Sequence, residues 1–216
     1  MSKSLQTENR VVLPDVSWQQ FEKLLQELGS DRTARLTYDR GKLEMMTPLP
    51  EHDRCTKLIE SLILVLVDEL HLTIETVAPI LLQAADRGRV TELNAGYYFD
   101  ASPVLMGKNA VDLAQGEPPE LAIEISLTKS SLDKFRIYAD LGIPELWRYS
   151  TKAGDDVLKG NLQMYRLQDQ QYVESASSAV FPFLPAQRVL QFIDQSDKVG
   201  LVQALDVLRH WTREML

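Results

Sequence analysis

The chain reads as an α/β protein in which a mixed β-sheet is flanked by helices. Three observations predict this. The first is the stretch from Pro118 to Trp147. Leu121 to Leu127 is apolar except for Glu124 and Ser126, and Pro119 and a Ser/Lys cluster bound it, which is the pattern of a buried strand. Leu132, Phe135, Ile137, Tyr138 and Leu141 follow as a helix that Ser130 or Ser131 can cap and Gly142 can stop. Ile143-Pro144 breaks any continuation, and residues 146–149 return as a second strand. Strand, helix and strand within about thirty residues make a crossover unit, so the two strands are expected to be parallel neighbours. The second observation is a turn signal, Asp39-Arg40-Gly41, between two strand-like runs. The third is the helical periodicity of residues 18–28, 52–70 and 197–216.

In chain order, residues 1–14 read as an arm ending at Leu13-Pro14. Ser17-Trp18-Gln19-Gln20 has the capping-box form, and Phe21, Leu24, Leu25 and Leu28 follow at helical spacing until Gly29-Ser30. Residues 35–38 and 42–47 predict a hairpin, ended by Pro48 and Pro50. Residues 52–70 predict a long helix with Leu58, Leu62, Val65 and Leu66 across one face. Residues 72–77 and 80–83 predict strands, and Arg87-Gly88-Arg89 a loop. Residues 93–99 predict one further short strand, weakened by Asn94 and Gly96. Residues 100–117 read as a surface excursion. Beyond the crossover, residues 162–167 and 172–175 form a second hairpin and residues 181–185 a bend. Residues 197–216 form a helix with Leu201, Leu205, Leu208, Trp211 and Met215 on one side.

A chain of 216 residues with 44% hydrophobic and 25% charged residues suits one globular domain with an appended helix. The first ten residues lack the apolar core of a signal peptide. The most apolar run, residues 62–67, is far too short to span a bilayer. The one cysteine, Cys55, has no internal partner, which fits a reducing cytoplasm. A net charge of −8 argues against a strong, non-specific nucleic-acid binder but leaves room for an enzyme with a local basic groove. His52 and Cys55 share a helix turn, but two ligands do not make a structural zinc site.

Glu124-Ile125-Ser126, Asp133-Lys134 and Tyr138-Ala139-Asp140-Leu141-Gly142-Ile143-Pro144-Glu145-Leu146-Trp147 resemble the Uma-type endonucleases, a family of the PD-(D/E)XK, restriction-endonuclease-like superfamily. Gly41-Lys42-Leu43-Glu44-Met45-Met46-Thr47-Pro48 and Glu51-His52 extend the resemblance. It implies a restriction-endonuclease-like core over residues 15–193, with residues 194–216 as a C-terminal helix on that core or at a dimer interface. It also implies a metal-dependent endonuclease that hydrolyses nucleic-acid phosphodiester bonds, with Mg²⁺ as cofactor and DNA as the expected nucleic acid. A homodimer is expected because a duplex has two strands to cut.

In such an enzyme, carboxylates hold Mg²⁺, which polarises the phosphate and lowers the pKa of an attacking water, while a lysine stabilises the transition state. Glu124 matches the family's second carboxylate. The superfamily's usual lysine two residues later is Ser126 here, and Lys134 matches a lysine relocated to the following helix. Where the family reads Glu-Pro-Asp, this chain has Glu92-Leu93-Asn94, so a neutral amide stands where a carboxylate would bind metal. The resemblance thus implies Glu124, Lys134, Asn94, His52 and Glu44 as catalytic residues, and Glu124, Asn94 and Glu92 as metal ligands. Glu92 enters because residues i and i+2 of a strand share a face. The loss of a charge at Asn94 implies a weakened enzyme. The alternative is an inactive nuclease-fold protein that binds nucleic acid or a protein partner. By residue type alone, Glu124 reads as a structural carboxylate at a strand end, Lys134 as a solvated helix lysine and His52 as part of a cleft rim.

Overall fold

The computed structural model describes residues 8–29, 31–77, 79–100, 110–154 and 156–216. The elements run β1 (Asn9–Leu13), α1 (Trp18–Leu28), β2 (Arg35–Asp39), β3 (Lys42–Thr47), α2 (Pro50–Leu70), β4 (Ile74–Val77) and β5 (Ile80–Ala84). A 3-10 turn (Ala85–Arg87) leads into β6 (Arg89–Leu93), β7 (Ala95–Phe99), β8 (Ala110–Asp112) and β9 (Leu121–Ser126). The chain continues through α3 (Lys134–Asp140), β10 (Glu145–Ser150), β11 (Asn161–Gln168), β12 (Gln171–Ser175), α4 (Ala186–Val199) and α5 (Leu201–Met215). Among the described residues the strands form two six-stranded sheets, ordered β1-β3-β2-β6-β5-β8 and β12-β11-β10-β9-β7-β4. Both are mixed: β5 and β8 are parallel in the first, β9 and β10 in the second. The α/β class and the parallel crossover strands are therefore as expected, with two sheets where one was expected.

Side-chain alternation fixes the layering. Along β9, Leu121, Ile123 and Ile125 point to a core shared with α2, α4 and α5, whereas Ala122 points to a second core between the sheets. Trp147 and Tyr149 of β10 join the first core and Leu146 the second. Helix α3 contributes Ile137 and Tyr138 to the inter-sheet core. Phe21 of α1 covers the far face of the first sheet with Leu36, Tyr38 and Val90. Glu124 and Arg148 therefore project on the inter-sheet side, where they are direct cross-strand partners.

Local chemistry explains the elements. Ser17 and Gln20 form the reciprocal capping box at the start of α1. The β2–β3 turn places Arg40 and Gly41 at positive φ, as a two-residue hairpin turn requires. Glu145 and Trp147, from the Pro-Glu-Leu-Trp segment, form a buried clamp: one Glu145 oxygen accepts the indole N–H at 2.6 Å, and the other accepts the N–H groups of Ala179 and Val180 at 2.8 and 2.9 Å. The clamp fastens the bend before α4 to β10.

Several expectations are corrected. Residues 9–13 are not an arm but β1, paired antiparallel with β3, while residues 1–7 lie outside those described. Residues 93–99 are not one strand: the chain leaves the first sheet at Leu93 and enters the second at Ala95, with Asn94 at the crossing. Arg89 opens β6 rather than closing a loop. Helix α3 begins at Lys134 with Asp133 as its cap, accepting the Arg136 N–H, while the Ser130 hydroxyl donates to Glu44 instead. The C-terminal helix is two helices broken at Gly200, where φ is +88°. Of the stripe on the C-terminal segment, expected on the core or at a dimer interface, Leu208 lies inside the chain's own core with Leu205 and Trp211 packed against it. Of the expected excursion at 100–117, residues 101–109 lie outside those described and residues 110–112 form β8. No described helix is long and apolar enough to cross a membrane.

Replacing Glu145 by alanine leaves the buried Trp147 indole N–H without an acceptor and releases the Ala179 and Val180 N–H groups to water, so Glu145→Ala should cost about 2 kcal/mol of stability. Urea denaturation of the variant and the parent chain measures this.

Candidate functional site

A cavity of about 390 Å³ opens where the ends of β9 and β10 meet the start of α3. Asn94, Glu124 and Lys134 line it together, as does Glu92. Five cationic side chains, Arg10, Arg35, Lys129, Lys134 and Arg148, face three acidic ones, Glu92, Glu124 and Asp133. The cavity thus concentrates positive charge in an acidic chain.

Glu124 is 8% exposed. Its Oε2 atom is buried with no hydrogen-bond partner among the described residues and lies 3.7 Å from Arg148 Nε, which also lacks a hydrogen bond. Such a carboxylate is costly to bury unless something else approaches it. Lys134 stands at the first turn of α3 and is half-buried, with its ammonium 5.8 Å from the Tyr138 ring centre. Burial pushes its pKa below that of an ordinary lysine, while Glu124 and Glu44 pull it back up. The Tyr138 phenol is pushed well above its usual range, first by burial and then by Glu124.

The other candidates are held by the protein itself. One oxygen of Glu44 accepts from Arg10 at 2.7 Å and Ser130 at 2.8 Å, and the other accepts the Ser131 N–H at 2.8 Å. Glu44 therefore fastens β3 to the loop that delivers Lys134. One Glu92 oxygen pairs with Arg32 and the other accepts the Leu36 N–H at 3.0 Å. Because Asn94 lies between strands of different sheets, Glu92 and Asn94 do not share a strand face. Asn94 Oδ1 accepts the Ile125 N–H at 3.0 Å, and Asn94 Nδ2 faces His52 Nδ1 at 3.4 Å. His52 is 1% exposed, and its Nε2 is bonded to Glu8.

Sequence reasoning missed Glu8, Arg10 and Arg148. Reading residues 1–14 as an arm concealed Glu8 and Arg10. Arg148 was findable, because it occupies the middle of a strand whose neighbours on both sides are apolar.

The donor set can be tested against a divalent ion. Mg²⁺ needs several oxygen ligands, with carboxylates carrying most of the charge. Here one carboxylate oxygen is unpartnered, the oxygens of Glu44 and Glu92 accept hydrogen bonds, and the Asn94 oxygen takes a backbone N–H. Among the described residues no three His, Cys, Asp or Glu side chains converge as a metal site. Held in this way, the described side chains offer a divalent ion one carboxylate oxygen without a hydrogen bond, from Glu124, and no cage of three acidic ligands.

The Uma2 family model, described as "Putative restriction endonuclease", matches residues 18–193. A similar solved structure is that of "a putative nuclease belonging to DUF820" from Anabaena variabilis, at 12% identity and a TM-score of 0.47, covering 73% of this chain and 90% of that one. No curated protein matches this chain.

The buried Glu8 carboxylate predicts a pH dependence. Burial alone would raise its pKa, but hydrogen bonds from His52, Thr128 and Arg10 outweigh that and lower it from 4.5 to about 2. Its contribution to stability is full above 4.5 and is lost as the pH falls towards 2. Glu8→Gln should therefore be less stable than the parent at about pH 7, with the gap closing towards about pH 2. Denaturation curves across that range test this.

Proposed function

This chain belongs to the Uma2 family, and on that premise we propose that its cleft binds the phosphodiester backbone of nucleic acid as an endonuclease site with weak hydrolysis. The observation that carries the reading is a cation-lined cavity shared by Lys134, Arg148 and Glu124, whose Oε2 accepts no hydrogen bond and pairs with Arg148 at 3.7 Å. A cleft of this kind can attract phosphate although the chain carries a net charge of −8, because local potential rather than net charge steers a ligand.

In this reading Arg148 and Lys134 take phosphate oxygens. Among the described residues Lys134 forms no ion pair, so phosphate would meet an ammonium not already neutralised at close range. Glu124 pairs with Arg148, lines the same cavity as Lys134 and is the carboxylate available to accept a proton from an attacking water. Glu44 and Asn94 act as supports, holding the 128–131 loop and the β9 backbone. The metal-assisted chemistry implied by the family has one free carboxylate to work with here, and we assign no step to it.

A second reading, a nuclease fold that binds without cutting, is favoured by the engagement of Glu92 and Asn94 with other groups. One experiment separates the two. A labelled DNA duplex is titrated by fluorescence anisotropy, and plasmid nicking is followed with Mg²⁺ or Mn²⁺. We expect binding with slow nicking, and Lys134→Ala and Arg148→Ala should each weaken binding about tenfold. Binding without any nicking selects the second reading, and absence of binding sinks both.

The lowered pKa of Lys134 adds a pH test. Binding should weaken as pH rises through a range below that of an ordinary lysine, because the deprotonated amine no longer attracts phosphate. Lys134→Arg stays charged and should bind almost independently of pH over the same interval. Parallel pH profiles for the two chains would reject the assignment.

A further inference from the structure

We infer that Asn94 is a positioning residue, the amide link of a buried hydrogen-bond chain from Glu8 through His52 to the Ile125 backbone beside Glu124. Its geometry leaves little freedom. The Ile125 N–H can only donate, so the Asn94 atom 3.0 Å away must be its oxygen. The amide nitrogen must then face His52 Nδ1, at 3.4 Å. An NH₂ group is a donor, so Nδ1 must present a lone pair, and the imidazole proton sits on Nε2, where the Glu8 carboxylate accepts it. His52 and the Glu8 side chain are almost wholly buried, so water does not substitute for any member.

This chain needs an amide at position 94. An aspartate could still accept the Ile125 N–H, but its second oxygen would meet the Nδ1 lone pair, placing two acceptors together in a buried site. Asn94 also sits where the backbone passes from the first sheet to the second. Its two bonds therefore tie α2 to β9 at the point where Glu124 enters the cleft, and the His52–Glu8 contact extends the tie to the residue before β1. The difference from the family's aspartate is accounted for by the hydrogen-bond polarity of Glu8 and His52 and does not require a vacated ligand position. The inference stands whether or not the cleft cuts nucleic acid.

Nitrogen NMR of the parent chain at neutral pH reads the His52 tautomer directly. We expect a protonated Nε2 and a bare Nδ1, and a protonated Nδ1 overturns the inference. Asn94→Asp is the second arm, read by thermal melting and by calorimetric Mg²⁺ titration. We expect a melting temperature lower by about 5 °C, with Mg²⁺ affinity within about twofold of the parent. An unchanged melting temperature, or a Mg²⁺ affinity raised about tenfold or more, would identify position 94 as a ligand site and overturn it.

Discussion

The hydrogen bond from the Ile125 N–H to the Asn94 side chain is the contact on which the arrangement of the cleft depends. The two sheets meet where β6 ends and β7 begins, and one residue separates them. A backbone that changes sheets leaves polar groups that neither ladder satisfies. Asn94 meets that demand from its side chain. In doing so it fixes β9 at the level of Glu124, and the parallel register with β10 then sets Arg148 opposite Glu124.

A second support acts from the other side of the cleft. Glu44 lies in β3, yet both its oxygens bind residues outside its own sheet hairpin, including the loop before α3. Arg10 completes this support by binding Glu44, Glu8 and Thr128. Together these contacts hold the loop through which Lys134 is presented. Much of the acidic cluster suggested by the sequence is thus engaged by other groups, and the proposed function rests on Glu124, Lys134 and Arg148.

Much of the fold was legible because it rests on local signals. The capping box of α1, the glycine turn between β2 and β3 and the strand–helix–strand crossover all encode their geometry within a few residues. Of the residues expected to be catalytic, Asn94, Glu124 and Lys134 line one cavity, whereas Glu44 and His52 do not line it. What could not be read was long-range pairing. β1 has no strand pattern of its own, since three apolar residues in a row, Val11 to Leu13, remain largely exposed, and its identity comes from pairing with β3. The division of residues 93–99 is invisible locally because the single residue Asn94 separates Leu93 from Ala95, and only their partners assign them to different sheets. Whether a carboxylate such as Glu44 is free or held depends on partners about 34 and 86 positions away, which spacing alone does not reveal.

The claim at the centre of this account is that phosphate backbone docks at Glu124, Lys134 and Arg148. Its most direct test is an NMR titration of the full chain with a short DNA duplex, following backbone amide shifts. The account predicts that shifts concentrate at residues 124–134 and at Arg148 and saturate together. Shifts confined to the outer face of α5 or to α1, with the cleft unmoved, would contradict it.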